Sequence, residues 1–275
     1  MFQYAAARAL ADRIGAELVI DTRAFANYTL RPYALERFAV RARKATTDEL
    51  ARWPTWLRTP SRIAQRLGVG TRWYSELRFG YDSNWNTFSD DLLLEGYFQS
   101  EKYFSEIAPV LRTDFLPIRP LSHVSRAIAE AAKESESVAL HVRRGDYVSN
   151  PKTLRIHGVC SPRYYEHAIN LMRSKLARPR FFIFSNDMVW AKANLALGND
   201  ATFVDGNTED PELDVFLMAQ CRHHIIANSS FSWWGAWLCN YQDANIIAPA
   251  PWFDSNDLTD RDLIPSSWTR LSKDG

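Results

Sequence analysis

The sequence predicts an α/β protein whose larger part is a doubly wound parallel sheet. Three observations carry that expectation. From residue 122 onward, short apolar runs alternate with helical stretches, the rhythm of strand–helix–strand units. Three of the apolar runs, "HVRRGDY", "FSND" and "ANSSFSWWG", end in polar residues, and in such sheets ligands bind beyond the carboxyl ends of the strands. The chain opens with a helix followed by a strand, half of one more unit of the same kind.

The elements follow in order. In "MFQYAAARALADRIGAELVID", Phe2, Ala6, Ala9, Leu10 and Ile14 recur at three- and four-residue spacing, which predicts a helix. Gly15 stops it, and Leu18–Ile20 reads as a short buried strand. Residues 22–80 are irregular, aromatic and basic, with breakers at Pro32, Pro54, Pro60, Gly68 and Gly70. "LLEGYFQSEKYF", Leu93 to Phe104, reads as strand into helix. Residues 109–123 carry Pro109, Pro117 and Pro120 and form the linker candidate. Two domains are therefore expected, 1–121 and 122–275, which the length accommodates. In the second, helix Ser122–Lys133 precedes strand Val138–Val142, and a helix over about residues 163–175 precedes strand Arg180–Asp187. Strand "ATFVDG", helix "PELDVFLMAQC", strand "HHIIANSS", helix "SWWGAWLCN" and strand "NIIAPAPWF" complete it.

Bulk properties exclude several classes. Net charge is +1, so nothing in the overall balance points to nucleic acid. Charge is uneven along the chain: residues 31–78 hold eleven Lys/Arg against four Asp/Glu, and residues 200–214 hold six acids and no base. The basic run suits a phosphate, an acidic glycan or an anionic membrane as well as a plain solvated surface. Ten Trp, eleven Tyr and fifteen Phe are mostly expected in the core, with some free to stack on sugars or bases. Cys160, Cys221 and Cys239 show no metal spacing and suit a reducing compartment. No apolar run is long enough to span a membrane and no signal peptide opens the chain, so the expected address is cytoplasmic. There is no P-loop, HExxH, GxSxG or zinc pattern, "GVG" at Gly68–Gly70 is a weak dinucleotide signal, and Asp90-Asp91 is no metal–nucleotide motif.

The candidate site lies at the three polar strand ends. His141 and Arg143 share one strand face; Arg144 falls on the other. A planar guanidinium suits bidentate phosphate binding, so Arg143 is the expected diphosphate ligand, and Arg144 is expected to pair with Asp146. Asn228, Ser229 and Ser230 precede a helix whose N-terminal amides and dipole suit an anion, or serve only as its cap. Ser185, Asn186 and Asp187 either face a base or ribose or cap the next helix. Asp214 has the same two readings. Trp233, Trp234, Trp237 and Leu238 form a buried helix face.

These stretches resemble the bacterial α-1,2-fucosyltransferases that use GDP-fucose, glycosyltransferase family 11. The matching pieces are "MFQYAAARAL", "GYFQSEKYF", "HVRRGDY", "FSND" and "HHIIANSSFSWWGAWL", in family order over nearly the whole chain. "HVRRGDY" is shared with other fucosyltransferase families; "NSSFSWWGAWL" together with "GYFQSEKYF" is much more specific. The resemblance implies a GT-B type fold, two Rossmann-like domains with parallel sheets facing an interdomain cleft, and inverting transfer of fucose without a metal or other cofactor. It implies that the second domain holds GDP-fucose and the first serves the acceptor. By motif, Arg143 contacts the β-phosphate, and His141 with Arg144 lies near the nucleotide. Ser185, Asn186, Asp187 and Asp214 line the nucleoside pocket, and Asn228, Ser229, Ser230, Phe231 and Ser232 surround the phosphates. Asp146 is the candidate base, with Asp21 as another. The family opens with a strand and a glycine-rich "GGLGNQ" ahead of "MFQY"; Met1 stands at the methionine of that segment, and Asn186 stands where an aspartate is common. The expected acceptor is a galactoside-terminated glycan, a lipid-linked repeat unit being one form, with peripheral contact at the inner membrane face. A catalytically impaired GDP- or glycan-binding homologue is the alternative.

Overall fold

The computed structural model describes residues 1–26, 32–51, 73–76, 78–88, 92–207 and 210–275. Pro54, Pro60, Gly68, Gly70, Asp90, Asp91 and much of the basic run lie outside the described residues. The chain divides into two compact units: residues 1–116 with 261–263, and residues 117–260 with 264–275.

In the first unit, α1 (Phe2–Ile14) buries Phe2, Tyr4, Ala5, Ala6, Ala9, Leu10 and Ala11, and Gly15 ends it in the left-handed region. Tyr4 donates its hydroxyl to the buried carboxylate of Asp114 at 2.6 Å. Strands β1 (Val19–Ile20) and β2 (Arg43–Lys44) pair in parallel, as do β3 (Trp73–Ser75) and β4 (Leu93–Glu95). A short helix, α2 (Thr47–Ala51), follows β2. The linker reading holds only for its second half: Pro109 sits in the first turn of α3 (Ala108–Asp114), where a missing N–H costs nothing. An aromatic cluster of Tyr74, Trp85, Phe88, Phe98 and Tyr103, with ring centroids 4.9–6.3 Å apart, fills this core.

The second unit carries the six-stranded parallel sheet. Its strands are β5 (Glu136–Val142), β6 (Pro179–Ser185), β7 (Ala201–Phe203), β8 (His223–Ile225), β9 (Ile246–Ala250) and β10 (Thr269–Ser272), in spatial order β10-β9-β8-β5-β6-β7. The order reverses between β5 and β8, the arrangement that opens a ligand crevice beyond their carboxyl ends. Among the described residues seven helices join the strands: α4 (His123–Lys133), α5 (Gly145–Ser149), α6 (Pro151–His157), α7 (Pro162–Lys175), α8 (Met188–Asn194), α9 (Pro211–Gln220) and α10 (Ser230–Trp237). Burial of β5 on both faces explains its apolar run. Val138, Leu140 and Val142 pack with Tyr164, Tyr165, Ile169 and Met172 of α7, while α4, α9 and α10 pack together elsewhere in the unit. β10, a sixth strand beside the five expected, is short and only half-buried, so it leaves no apolar run to read.

Helices α9 and α10 approach each other closely at Gly235, where a Cβ would lie 2.7 Å from Met218 Cβ. Two Cβ atoms cannot separate without moving backbone. Gly235→Ala is therefore expected to lower stability by about 1–3 kcal/mol, read as a shift in the urea midpoint; an unchanged midpoint would contradict this packing.

Candidate active site

The end of β5 sets the first part of the site. The strand stops at Val142, and Gly145, at φ +29, turns the chain into α5. That turn places Asp146 under Arg143, whose Nη2 donates to Asp146 Oδ1 at 2.5 Å. The guanidinium also lies over the Tyr147 ring, 5.2 Å from its centroid. The pairing expected from the sequence is thus corrected: Asp146 belongs to Arg143, not to Arg144. Arg144 turns to the end of β6 instead. Its Nε lies 3.6 Å from Asp187 Oδ2, its guanidinium covers Trp190 at 4.3 Å, and its N–H donates to Asn186 Oδ1 at 2.9 Å. A Cβ on residue 145 would sit 2.2 Å from Asn186 Nδ2, so glycine is required there for space as well as for φ.

The polar end of β6 mostly builds its own turn. Ser185 Oγ accepts from the Asp187 N–H at 2.9 Å, and Asp187 Oδ1 caps α8 by accepting from the Trp190 N–H at 3.0 Å. The reading of Asp187 as a cap is the one observed. Asn186 serves through a carbonyl oxygen that an aspartate would also offer, so the amide here keeps the contact to Arg144.

At the end of β8, Ser229 caps α10, its Oγ accepting from the Phe231 N–H at 3.4 Å. Ser232 is buried and donates to the carbonyls of Ser229 (3.2 Å) and Ala227 (3.4 Å). Ser230 makes no side-chain hydrogen bond among the described residues. Asn228 is fully enclosed, at 0% exposure. Its Nδ2 donates to the carbonyls of His157 (2.7 Å), Trp252 (3.2 Å) and Gly158 (3.4 Å), and its Oδ1 faces Cys160 Sγ at 3.7 Å. Its side chain is used up inside the fold and holds the loop that presents Ser229 and Ser230.

Two titratable groups depart from ordinary behaviour. His141 is 3% exposed, its ring lies 5.5 Å from Phe231, and its Nδ1 is buried without a hydrogen bond. Burial, and then the positive Arg143, push its pKa down to about 3, so the imidazole is neutral at pH 7. Asp214, in the first turn of α9, is pushed up to about 6 by burial; Asn207 Nδ2 opposes this by donating at 2.7 Å, and the charge of Asp205 adds to it. Asp21, the other candidate base, is paired with Arg23 at 2.6 Å.

Two residues that the sequence did not single out tie these parts together. The His157 ring stacks on Tyr147 (4.9 Å, 23°), the same ring that carries Arg143. The His157 carbonyl accepts from Asn228 Nδ2 and from Nζ of Lys273 at 2.9 Å. Lys273 is 2% exposed and paired with Asp254. The tyrosine closing "HVRRGDY" was the one available signal; nothing local marks Lys273. The assembled edge offers a guanidinium, the free hydroxyl and first amides of a helix, and a neutral imidazole, a set suited to a phosphorylated anion. Among the described residues no group of three His, Cys, Asp or Glu side chains is placed to hold a metal ion, and no helix is long and apolar enough to cross a membrane.

The family model described as Glycosyl transferase family 11 matches residues 74–272. An α-1,2-colitosyltransferase of Escherichia coli is 34% identical over 279 residues, covering 99% of this chain and 95% of that protein. Galactoside α-(1,2)-fucosyltransferase 2 of Bos taurus is 36% identical over 109 residues, covering 39% of this chain and 32% of that protein. The crystal structure of the fucosyltransferase NodZ from Bradyrhizobium covers 86% of this chain and 87% of its own at a TM-score of 0.44 and 17% identity.

The raised pKa of Asp214 has a stability consequence with a definite sign. The folded state holds this proton more tightly than the unfolded chain, so the stability it allows is fully present below its unfolded value of 3.8. It is lost as pH climbs towards 6, and the loss is constant above that. Asp214→Asn is expected to raise stability at pH 8 by on the order of 2 kcal/mol and to change it little at pH 4, measured by urea unfolding at both.

Proposed function

The chain belongs to glycosyl transferase family 11, and on that premise we propose that it transfers fucose from GDP-fucose to a hydroxyl of a galactoside-terminated glycan, forming an α-1,2 linkage with inversion. The observation that carries the reading is the convergence of Arg143 and the start of α10 at the point where the strand order reverses. An anion held there has its charge met by a guanidinium and by helix amides. No metal is needed in this reading, because positive side chains and backbone dipoles take the charge that a divalent ion would otherwise neutralise.

In the reaction the acceptor oxygen bonds to the anomeric carbon as the bond from that carbon to the β-phosphate oxygen breaks. The bonding pair leaves with GDP, and the acceptor hydroxyl gives up its proton. Negative charge grows on the departing phosphate, where preorganised donors help most. Arg143 is held for this by Asp146 below and Tyr147 beside it. Ser230 adds a hydroxyl and the first turn of α10 its amides. His141, neutral and buried beside Phe231, keeps a ring nitrogen for the nucleoside without adding charge. Asp214 offers it a carboxylate, ionised above about pH 6. Asp146 remains the candidate base, although its bond to Arg143 favours a positioning role.

One observation favours a second donor sugar. One relative that matches nearly the whole chain is named for transfer of colitose. The nucleotide pocket is the same in both readings, so turnover of GDP-fucose and GDP-colitose side by side separates them. Turnover of either also excludes a catalytically impaired binding protein. The Lys/Arg excess of residues 31–78 supports work on a lipid-linked acceptor at the inner membrane face.

Two measurements test this. A calorimetric GDP titration in EDTA should show binding to the wild type that Arg143→Ala removes, and the same substitution should lower kcat by about 10²–10³-fold; turnover within a few-fold of wild type would sink the assignment. Co-sedimentation with phosphatidylglycerol vesicles should succeed at low salt and fail at high salt, and absence of binding at low salt would remove the membrane placement.

A further inference from the structure

The last turn of α6 is tied to more of the second unit than a short connecting helix needs. Its final carbonyls, which no amide of the helix can reach, are met from beyond three other strands. The Ile156 carbonyl accepts from the N–H groups of Asp254 at 2.9 Å and Ser255 at 3.2 Å, which follow β9. The His157 carbonyl accepts from Asn228, which follows β8, and from Lys273, which follows β10. A lysine at the last carbonyls suits a helix end. Gly158 stops the helix at φ +61, and a Cβ there would collide with the Asp254 carboxylate that pairs with Lys273. The strand ends are thus gathered on one turn.

That turn presents one ring to the site. The His157 imidazole stacks on Tyr147, 4.9 Å away and 23° from parallel, and Phe253 packs on the imidazole at 5.6 Å. Tyr147 is buried and carries the Arg143 guanidinium over its own ring at 5.2 Å. The bond from Arg143 Nη2 to Asp146 sets how far the guanidinium stands from α5. The Tyr147 ring limits where it can swing about that bond. A ring is a firm stop only if something stops the ring, and His157 is the group stacked on it. The orientation matters, because a misplacement of about 1 Å at a reacting group costs on the order of 10²-fold in rate.

We propose that His157 and Lys273 are positioning residues for Arg143. Lys273 fixes the His157 carbonyl, the His157 ring fixes Tyr147, and Tyr147 fixes the guanidinium at the angle the departing phosphate requires. This deepens the transferase reading and rests on it. Neither residue touches the nucleotide. Lys273 is 2% exposed and gives its ammonium to the His157 carbonyl and to Asp254, so no phosphate reaches it. His157 acts through the flat face of its ring, and its proton chemistry is not used.

The test combines GDP calorimetry, phosphorus NMR of bound GDP, transfer from GDP-fucose to lactose, and thermal unfolding, all on the full chain. His157→Ala keeps the carbonyl that Asn228 and Lys273 use and removes only the ring. It should weaken GDP by about tenfold and lower kcat by about ten- to hundredfold, with the lactose KM within about twofold of wild type. The β-phosphate resonance of bound GDP should shift. His157→Phe, a ring with no titratable nitrogen, should recover affinity, resonance and kcat. Lys273→Met should reproduce the losses of His157→Ala, each variant being read below its own thermal midpoint. In an Arg143→Ala background, His157→Ala should lower the residual turnover no further, because no guanidinium is left to place. A folded His157→Ala with unchanged GDP affinity and β-phosphate resonance would overturn the proposal. Failure of His157→Phe to recover them would give the imidazole a chemical role and overturn it equally. So would a loss of turnover from His157→Ala that is the same with and without Arg143, the mark of general loosening. A folded wild type that binds no GDP would sink the transferase reading and this assignment with it; a wild type that binds GDP beside an unaffected His157→Ala would sink this assignment alone.

Discussion

One enclosed side-chain amide holds the carboxyl edge of the large sheet together. Asn228 reaches two different segments through the carbonyls of His157, Gly158 and Trp252. Parallel strands cannot be joined by tight turns, so their carboxyl ends have no covalent reason to stay in register with one another. A buried amide supplies that reason, because each partner it loses leaves an unsatisfied polar group costing about 1–3 kcal/mol. A residue expected beside the phosphates is the one that holds the loop before α10 in place. Ser229, Ser230 and the start of α10 inherit their position from it.

The two adjacent arginines divide their work because a single glycine separates them from α5. Arg143 keeps to its own strand end, clamped by Asp146 and backed by Tyr147; Arg144 braces the neighbouring strand end through Asp187, Asn186 and Trp190. Both guanidiniums lie over aromatic rings, which limits their rotamers before any ligand arrives. Preorganisation of this kind lowers the reorganisation needed as charge develops. His141 differs: burial keeps it uncharged, so it adds no second positive charge beside Arg143.

Much of this was readable in the residues, for a physical reason. Strands β5, β6, β8 and β9 are covered on both sides and have to be apolar, and helices α4, α7 and α10 announce themselves by Ser122, Ser161 and Ser229 at their N-caps. The strand ends stood out because polar residues interrupt that apolar pattern. The rest was hidden where the determinants are not local. Strand β10 is an edge strand with one half-buried face, and α5 and α6 are single short helices, although Asn150 followed by Pro151 is a legitimate start signal for the second. Arg143 and Arg144 could not be assigned to their acids, since the choice depends on the backbone turn at Gly145. Lys273 and His157 lie 116 residues apart, and no spacing rule connects them.

That last separation bears on how the molecule is made. The carbonyl of His157 is shared by Asn228 and Lys273, and the buried Lys273 pairs with the exposed Asp254. On a ribosome, His157 emerges first and must wait for Lys273. At roughly 5–20 residues per second, the 116 residues from there through Lys273 take on the order of ten seconds. Throughout that interval the nascent chain carries its arginine motif without the clasp that orders it. A chain released or cleaved before Lys273 would hold every residue of the three polar strand ends and still present them loosely. Lys273, directly after the last strand, is therefore the latch for the helix that follows the arginine motif.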